Sequence, residues 1–118
     1  MNAIDVLKER LSHNLKEFRS KWSEMSKEKL IDRAYEIYAV QSVCRELPRL
    51  VTEEDAEMLL NYDNPLDVVT EIFTMGDVDA PAETMSEFEA DYLRTIMKIR
   101  NLTEVDREEL GFSIAKAS

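Results

Sequence analysis

Apolar residues return along this chain at helical spacing, and the spacing divides it into elements. Ile4, Leu7, Leu11, Leu15, Phe18 and Trp22 stand three or four apart, which sets all six on one stripe of a helix over residues 3 to 24. Lys8, Arg10, Lys16, Glu17, Arg19 and Lys21 occupy its other faces. At a rise of about 1.5 Å per residue the helix is about 33 Å long. So narrow a seam serves either as one wall of a bundle or as a face for a second copy in a homodimer. The bundle is the expectation, because later helices carry apolar faces that also need cover.

Ser26 is suited to cap a new helix, and from Lys27 to Leu47 the residues Leu30, Ala34, Ile37, Tyr38, Gln41, Cys44 and Leu47 repeat at helical intervals, with Ile31 and Tyr35 widening the face. Pro48 is expected to end it. Helices of such length joined by a short turn form an antiparallel hairpin. Thr52 and Asp55 make a variant capping box before a short helix buried through Ala56, Leu59 and Leu60. Asn64 as cap and Pro65 as first residue then start a helix bearing Leu66, Val69, Ile72 and Phe73, with Asp67 in its first turn. Gly76 is expected to close it before a loop over 77–85. Ser86 with Glu89 reads as a capping box for a helix over 87–101 striped by Phe88, Tyr92, Ile96 and Ile99. Thr103 with Asp106 opens one more short helix, stopped by Gly111, and residues 112–118 are expected to fray. The predicted fold is all-α: a small helical bundle with two long N-terminal helices in an antiparallel hairpin, two short helices and a C-terminal packing helix. Residues 1–102 form its single domain, and 103–118 add a short helix and a loose tail.

Composition agrees, with only 2 glycines and 3 prolines in 118 residues. The chain has 1 cysteine and 1 histidine, which leaves no partner for a disulfide and no Cys/His set for zinc. Asp5, Lys8 and Glu9 interrupt what would be the apolar core of a signal peptide, and no uncharged apolar run approaches the ~18 residues of a membrane span. A cytoplasmic protein that does not enter membranes is expected.

Two segments imitate calcium loops, and neither has the residues that such a loop requires. Counted from Asp63, the sixth and twelfth positions are Val68 and Thr74 instead of glycine and glutamate; counted from Asp77, they are Ala82 and Phe88. The helical di-iron signature needs Glu three residues before His, and Arg10 stands there before His13. Phosphate loops and nucleophile elbows are absent. His13 falls on the polar side of the first helix, and Cys44 shares an apolar stripe, where a thiol behaves as a small hydrophobe. No residue is assigned a catalytic, cofactor-binding or metal-binding role, no cofactor is expected, and the chain is read as a non-enzyme.

The charge is the feature that packing does not absorb. Residues 1–49 hold ten bases and eight acids, residues 50–93 hold thirteen acids and no base, and the remainder is nearly balanced, so the net charge of -10 originates in the middle. Helix caps use Asp55, Asp67, Glu87 and Glu89. Of the others, Glu53, Glu54, Glu57, Asp63, Glu71, Asp77 and Asp79 are the candidate partner-binding residues. Glu53, Glu54 and Glu57 are expected mostly in solvent. A one-sign surface keeps proteins soluble and steers basic partners. The expected function is protein–protein interaction with a basic protein. The alternative is a DNA-mimic inhibitor, which would occupy the Lys/Arg groove of a nuclease or other nucleic-acid-binding protein. Direct binding of nucleic acid is not expected, since the field repels phosphate.

Four segments, FRSKW, LIDRAYEIYAVQSV, TEEDAEMLLNYDNPLDVV and DYLRTIMKIRN, resemble in this order a family of small bacterial proteins of unknown function, the DUF3848 family. The resemblance covers residues 7 to 101, and its more specific positions are Ala34, Tyr35, Glu36, Ala56, Leu59, Leu60, Pro65 and Leu66. It implies a bacterial cytoplasmic protein without assigned chemistry, of a kind found in Gram-positive gut bacteria and near mobile genetic elements, a setting that favours an inhibitor of host defence or a small regulator. The acidic stretch over 76–90 and the C-terminal tail depart from the family pattern, so the resemblance implies nothing for them.

Overall fold

The structure is a computed structural model that describes residues 2–75 and 85–115, with side chains from Glu89 onward in the second stretch. Seven helices lie among the described residues: α1 Ala3–Ser23, α2 Lys27–Asp32, α3 Ala34–Leu50, α4 Glu53–Leu59, α5 Pro65–Thr74, α6 Met85–Arg100 and α7 Glu104–Leu110. The all-α bundle is as the periodicity requires.

Helix starts follow local chemistry. Asn2, Ser26, Thr52, Asn64 and Thr103 each accept the backbone N–H three residues on with their side-chain oxygen, and Thr103 with Asp106 completes a reciprocal capping box. Each such cap stabilises its helix by about 1 kcal/mol.

The antiparallel sense of α1 and α3 is visible in their pairing. The Cys44 thiol lies 3.8 Å from the Leu11 carbonyl oxygen. Lys8 and Ser12 share a cleft with Arg49, whereas Phe18 shares one with Tyr35 and Val40. Leu7 and Leu11 of α1 and Val40, Val43 and Leu47 of α3 enter the core, while Ile4, Leu15, Phe18 and Trp22 pack on its edge. The first stripe therefore finds cover within its own chain. At the centre is α5, with Pro65, Leu66, Val68, Val69, Thr70, Ile72 and Phe73 buried and α1, α3 and α6 packed around it. Leu59 of α4 and Tyr92, Ile96 and Ile99 of α6 complete the core.

The structure corrects four expectations. The second predicted helix is two, separated at Arg33, whose φ of -105° and ψ of 13° leave the helical basin. None of α2 is buried, so packing does not hold it in line with α3. Second, α3 runs through Pro48 to Leu50, because Leu47 and Val51 on either side are drawn into the core and the missing N–H affects only the last turn. Third, the tail is tied down as far as Ala115. Phe112 is buried with its ring edge-on to Tyr62, 6.1 Å between centroids, and Tyr62 pairs with Ile114 in an isolated antiparallel bridge. The Asp63 N–H donates to Ser113 O at 2.9 Å and the Ala115 N–H to Asn61 O at 2.6 Å. Fourth, α6 already includes Ser86, which the capping pattern places ahead of it. Gly76 and most of the predicted 77–85 loop lie outside the described residues, as does the Phe88 side chain.

Candidate functional site

The acids between Leu50 and Leu93 do not form one uniform face. Asp55 is buried in α4, and its carboxylate accepts from Nε of Arg100 on α6 at 2.8 Å and also from Nη2. It is thus committed to an ion pair across the bundle, and only the Thr52 half of the expected capping box forms through side-chain contact. Glu53 is half-buried instead of solvated and accepts the backbone N–H of Ala3, so it satisfies the first turn of α1 from fifty residues away. Asp91 pairs with Arg94 one turn along α6. Glu54, Glu57, Asp63 and Glu71 point to solvent. Asp77 and Asp79 lie outside the described residues.

Glu71 belongs to a distinct arrangement. Asp67, Thr70, Glu71 and Thr74 stand at helical spacing on one side of α5 and line a cavity of about 260 Å³. Tyr35, Glu36 and Val40 of α3 and Phe18 of α1 form its other walls. Val40 is fully buried and Thr70 is 5 % exposed, so these two make the floor. Among the described residues the Thr70 Oγ1 has no hydrogen-bond partner, an arrangement that costs about 1–3 kcal/mol for a buried polar group. Burial pushes the Asp67 carboxyl above the usual range; Lys21 opposes the shift and Glu36 adds to it. Glu71 is raised by burial, then by the charges of Asp67 and Glu36. Tyr35 is raised as well, by burial and then by Asp91. These carboxylates raise one another's energy as anions, and a cation placed among them relieves it.

Of the five candidate acids among the described residues only Glu71 lines this cavity; Glu36 and Asp67 join it from outside the candidate set. The available signal is the polar row 67, 70, 71 and 74 on a helix otherwise apolar. Along the sequence Asp67 reads only as a first-turn residue, and Glu36 comes from a helix thirty residues earlier.

A larger groove of about 590 Å³ runs between α5, α6 and α7, with Ile72, Met75, Met97, Leu102 and Leu110 as its apolar surface. His13 is exposed and 2.9 Å from Glu17, in keeping with a surface residue. Cys44 is half-buried, and burial raises its thiol despite Arg19, which disfavours the reactive thiolate. Among the described residues no group of three His, Cys, Asp or Glu is placed to hold a metal ion, and no helix is long and apolar enough to cross a membrane. No protein-family model, no curated protein and no solved structure matches the chain.

Proposed function

We propose that this is a non-enzymatic cytoplasmic interaction protein whose acidic middle engages a basic segment of a partner protein. The observation that carries the reading is what folding leaves unused. Ion pairs and helix ends take up Asp55, Glu53 and Asp91, yet Glu54, Glu57, Asp63 and Glu71 still face solvent in a stretch that holds no base at all. A surface of one sign speeds encounter with a cationic partner and rejects like-charged ones.

The experiment is capture of partners from a bacterial lysate on the immobilised full chain, with stepwise elution by salt. Basic proteins should be retained at low salt and released as ionic strength rises, since screening shortens the reach of exposed charges to about 8 Å at physiological salt. Added duplex DNA should leave them bound. Displacement by DNA would replace this reading with nucleic-acid mimicry, and capture indifferent to salt would refute both.

A further inference from the structure

Exposed apolar surface gathers at the end of the bundle formed by α5, α6 and α7. Of the seven large apolar side chains left in solvent among the described residues, Met75, Leu93, Met97 and Val105 are four, each 59–62 % exposed. Met75 and Met97 line the groove of about 590 Å³ between these helices, over a base of Ile72, Leu102 and Leu110. Leu93 stands one helical turn before Met97, and Val105 one turn before Glu109 on the opposite wall, so each wall gains a further apolar residue. Apolar surface gathered in this way on a folded protein marks a place where another surface packs. The two walls carry opposite charge, with Arg94 and Lys98 on α6 and Asp106 and Glu109 on α7. Arg94 pairs with Asp91 and Asp106 accepts the Thr103 N–H, but among the described residues neither Lys98 nor Glu109 has an ion pair.

We propose that this groove is where two copies of the chain meet, related by a two-fold axis that runs along it. Such an axis turns the second copy over, so the basic α6 wall of each faces the acidic α7 wall of the other, with the methionines between them. A partner of one sign fits less well, since its bases meet Arg94 and Lys98 or its acids meet Asp106 and Glu109. A second copy presents both signs at the matching separation. The distribution of charge supports this face. Each copy carries -10, yet residues 94–118 hold five bases and four acids, so two copies approach here with less repulsion than across the acidic middle. Methionine is unbranched and polarizable and packs without a fixed partner geometry. The stripe of α1, by contrast, is covered within its own chain. The interface does not rest on the proposed interaction with a basic partner, because Glu54, Glu57, Asp63 and Glu71 line no part of the groove.

The test is sedimentation equilibrium of the full chain over roughly 5 to 500 µM, with circular dichroism to match the fold of each variant. A patch of this size supports weak association, so a monomer–dimer equilibrium with a dissociation constant on the order of 10–100 µM is expected. Met97→Glu, at an exposed position, should weaken it about tenfold or more. Lys98→Glu and Glu109→Lys should each weaken it about tenfold, because each sets like charges together at two symmetric places. An equimolar mixture of these two variants should associate about as tightly as the parent, since each supplies the charge that the other's wall has lost. The Glu54→Gln, Glu57→Gln, Asp63→Asn variant should dimerise at least as tightly as the parent, which separates self-association from capture of a basic partner. A chain that stays monomeric up to about 500 µM overturns the proposal and leaves the groove to a different protein. A dimer indifferent to Met97→Glu overturns it by placing the interface elsewhere. A mixture of the two charge variants that recovers nothing overturns the pairing of opposite walls.

Discussion

Asp55 is, with Glu46, one of the two buried acids among the described residues. Its side chain is 9 % exposed while that of Arg100 is 51 % exposed, so the pair spans the boundary between core and water. Asp55 also acts on Tyr92, whose phenol is held well above its usual range, first by burial and then by that carboxylate. Removing one member of a fully buried pair costs about 3–5 kcal/mol; with the guanidinium half in water, Arg100→Leu should cost about 2 kcal/mol, measured by urea unfolding. Adding Asp55→Asn should recover part of the loss, because the uncompensated charge is then gone. Asp67 and Glu71 make the opposite kind of contribution. Their folded-state pKa values are raised, so the stability they lend is complete when they are protonated and is lost as pH rises through those raised values. Asp106 is lowered by hydrogen bonds from Thr103, so its contribution is present above the ordinary aspartate range and lost as pH falls through its depressed value. Asp67→Asn should therefore flatten the decline in unfolding free energy as pH rises above the ordinary aspartate range, read from denaturant melts at each pH.

At the level of elements, the ends of helices were legible wherever their chemistry is local. Ser26, Thr52, Asn64 and Thr103 each reach a backbone N–H only three residues away, and such contacts can be read from a sequence window. Gly111 closes α7 with φ of 76°, and a Cβ built there meets nothing within 4 Å. The cost of Gly111→Ala is thus purely that of the left-handed backbone, about 1–2 kcal/mol, and Gly111→Asn should cost less; thermal unfolding of the two variants decides this. What could not be read locally depends on distant partners. Propensity ends a helix at Pro48, but burial of Leu47 and Val51 carries α3 onward. Glu53 and Asp55 look like a solvated first turn until Ala3 and Arg100 are brought to them. The cavity is the same case: one side of it is a visible row on α5, and the facing Glu36 is set there only by how α3 packs.

Across the whole molecule, the C-terminal segment closes the fold. Phe112, Ser113 and Ala115 join the turn at 61–63, between α4 and α5, so the chain from α7 onward is integral to the bundle as far as Ala115. Phe112→Ala removes a ring that is 8 % exposed and should cost about 3 kcal/mol, seen as a lower urea midpoint with little change in slope. A tail that only frayed would give no measurable change. The charge is likewise a property of the whole. Bases of the first and last parts of the chain, Lys21 and Arg100 among them, reach over to individual central acids, yet they leave the exposed acids of α4 and of the turn after it without a described ion pair.

The most direct measurement compares partner capture by the parent chain with capture by the Glu54→Gln, Glu57→Gln, Asp63→Asn variant at low salt, the two matched in helicity and melting temperature. If the solvent-facing acids engage a basic partner, the amide variant should retain about a tenth or less of the material that the parent holds, since three charge pairs of about 0.5–1 kcal/mol each are removed. Equal capture by the two proteins would show that these carboxylates serve only to keep the protein in solution.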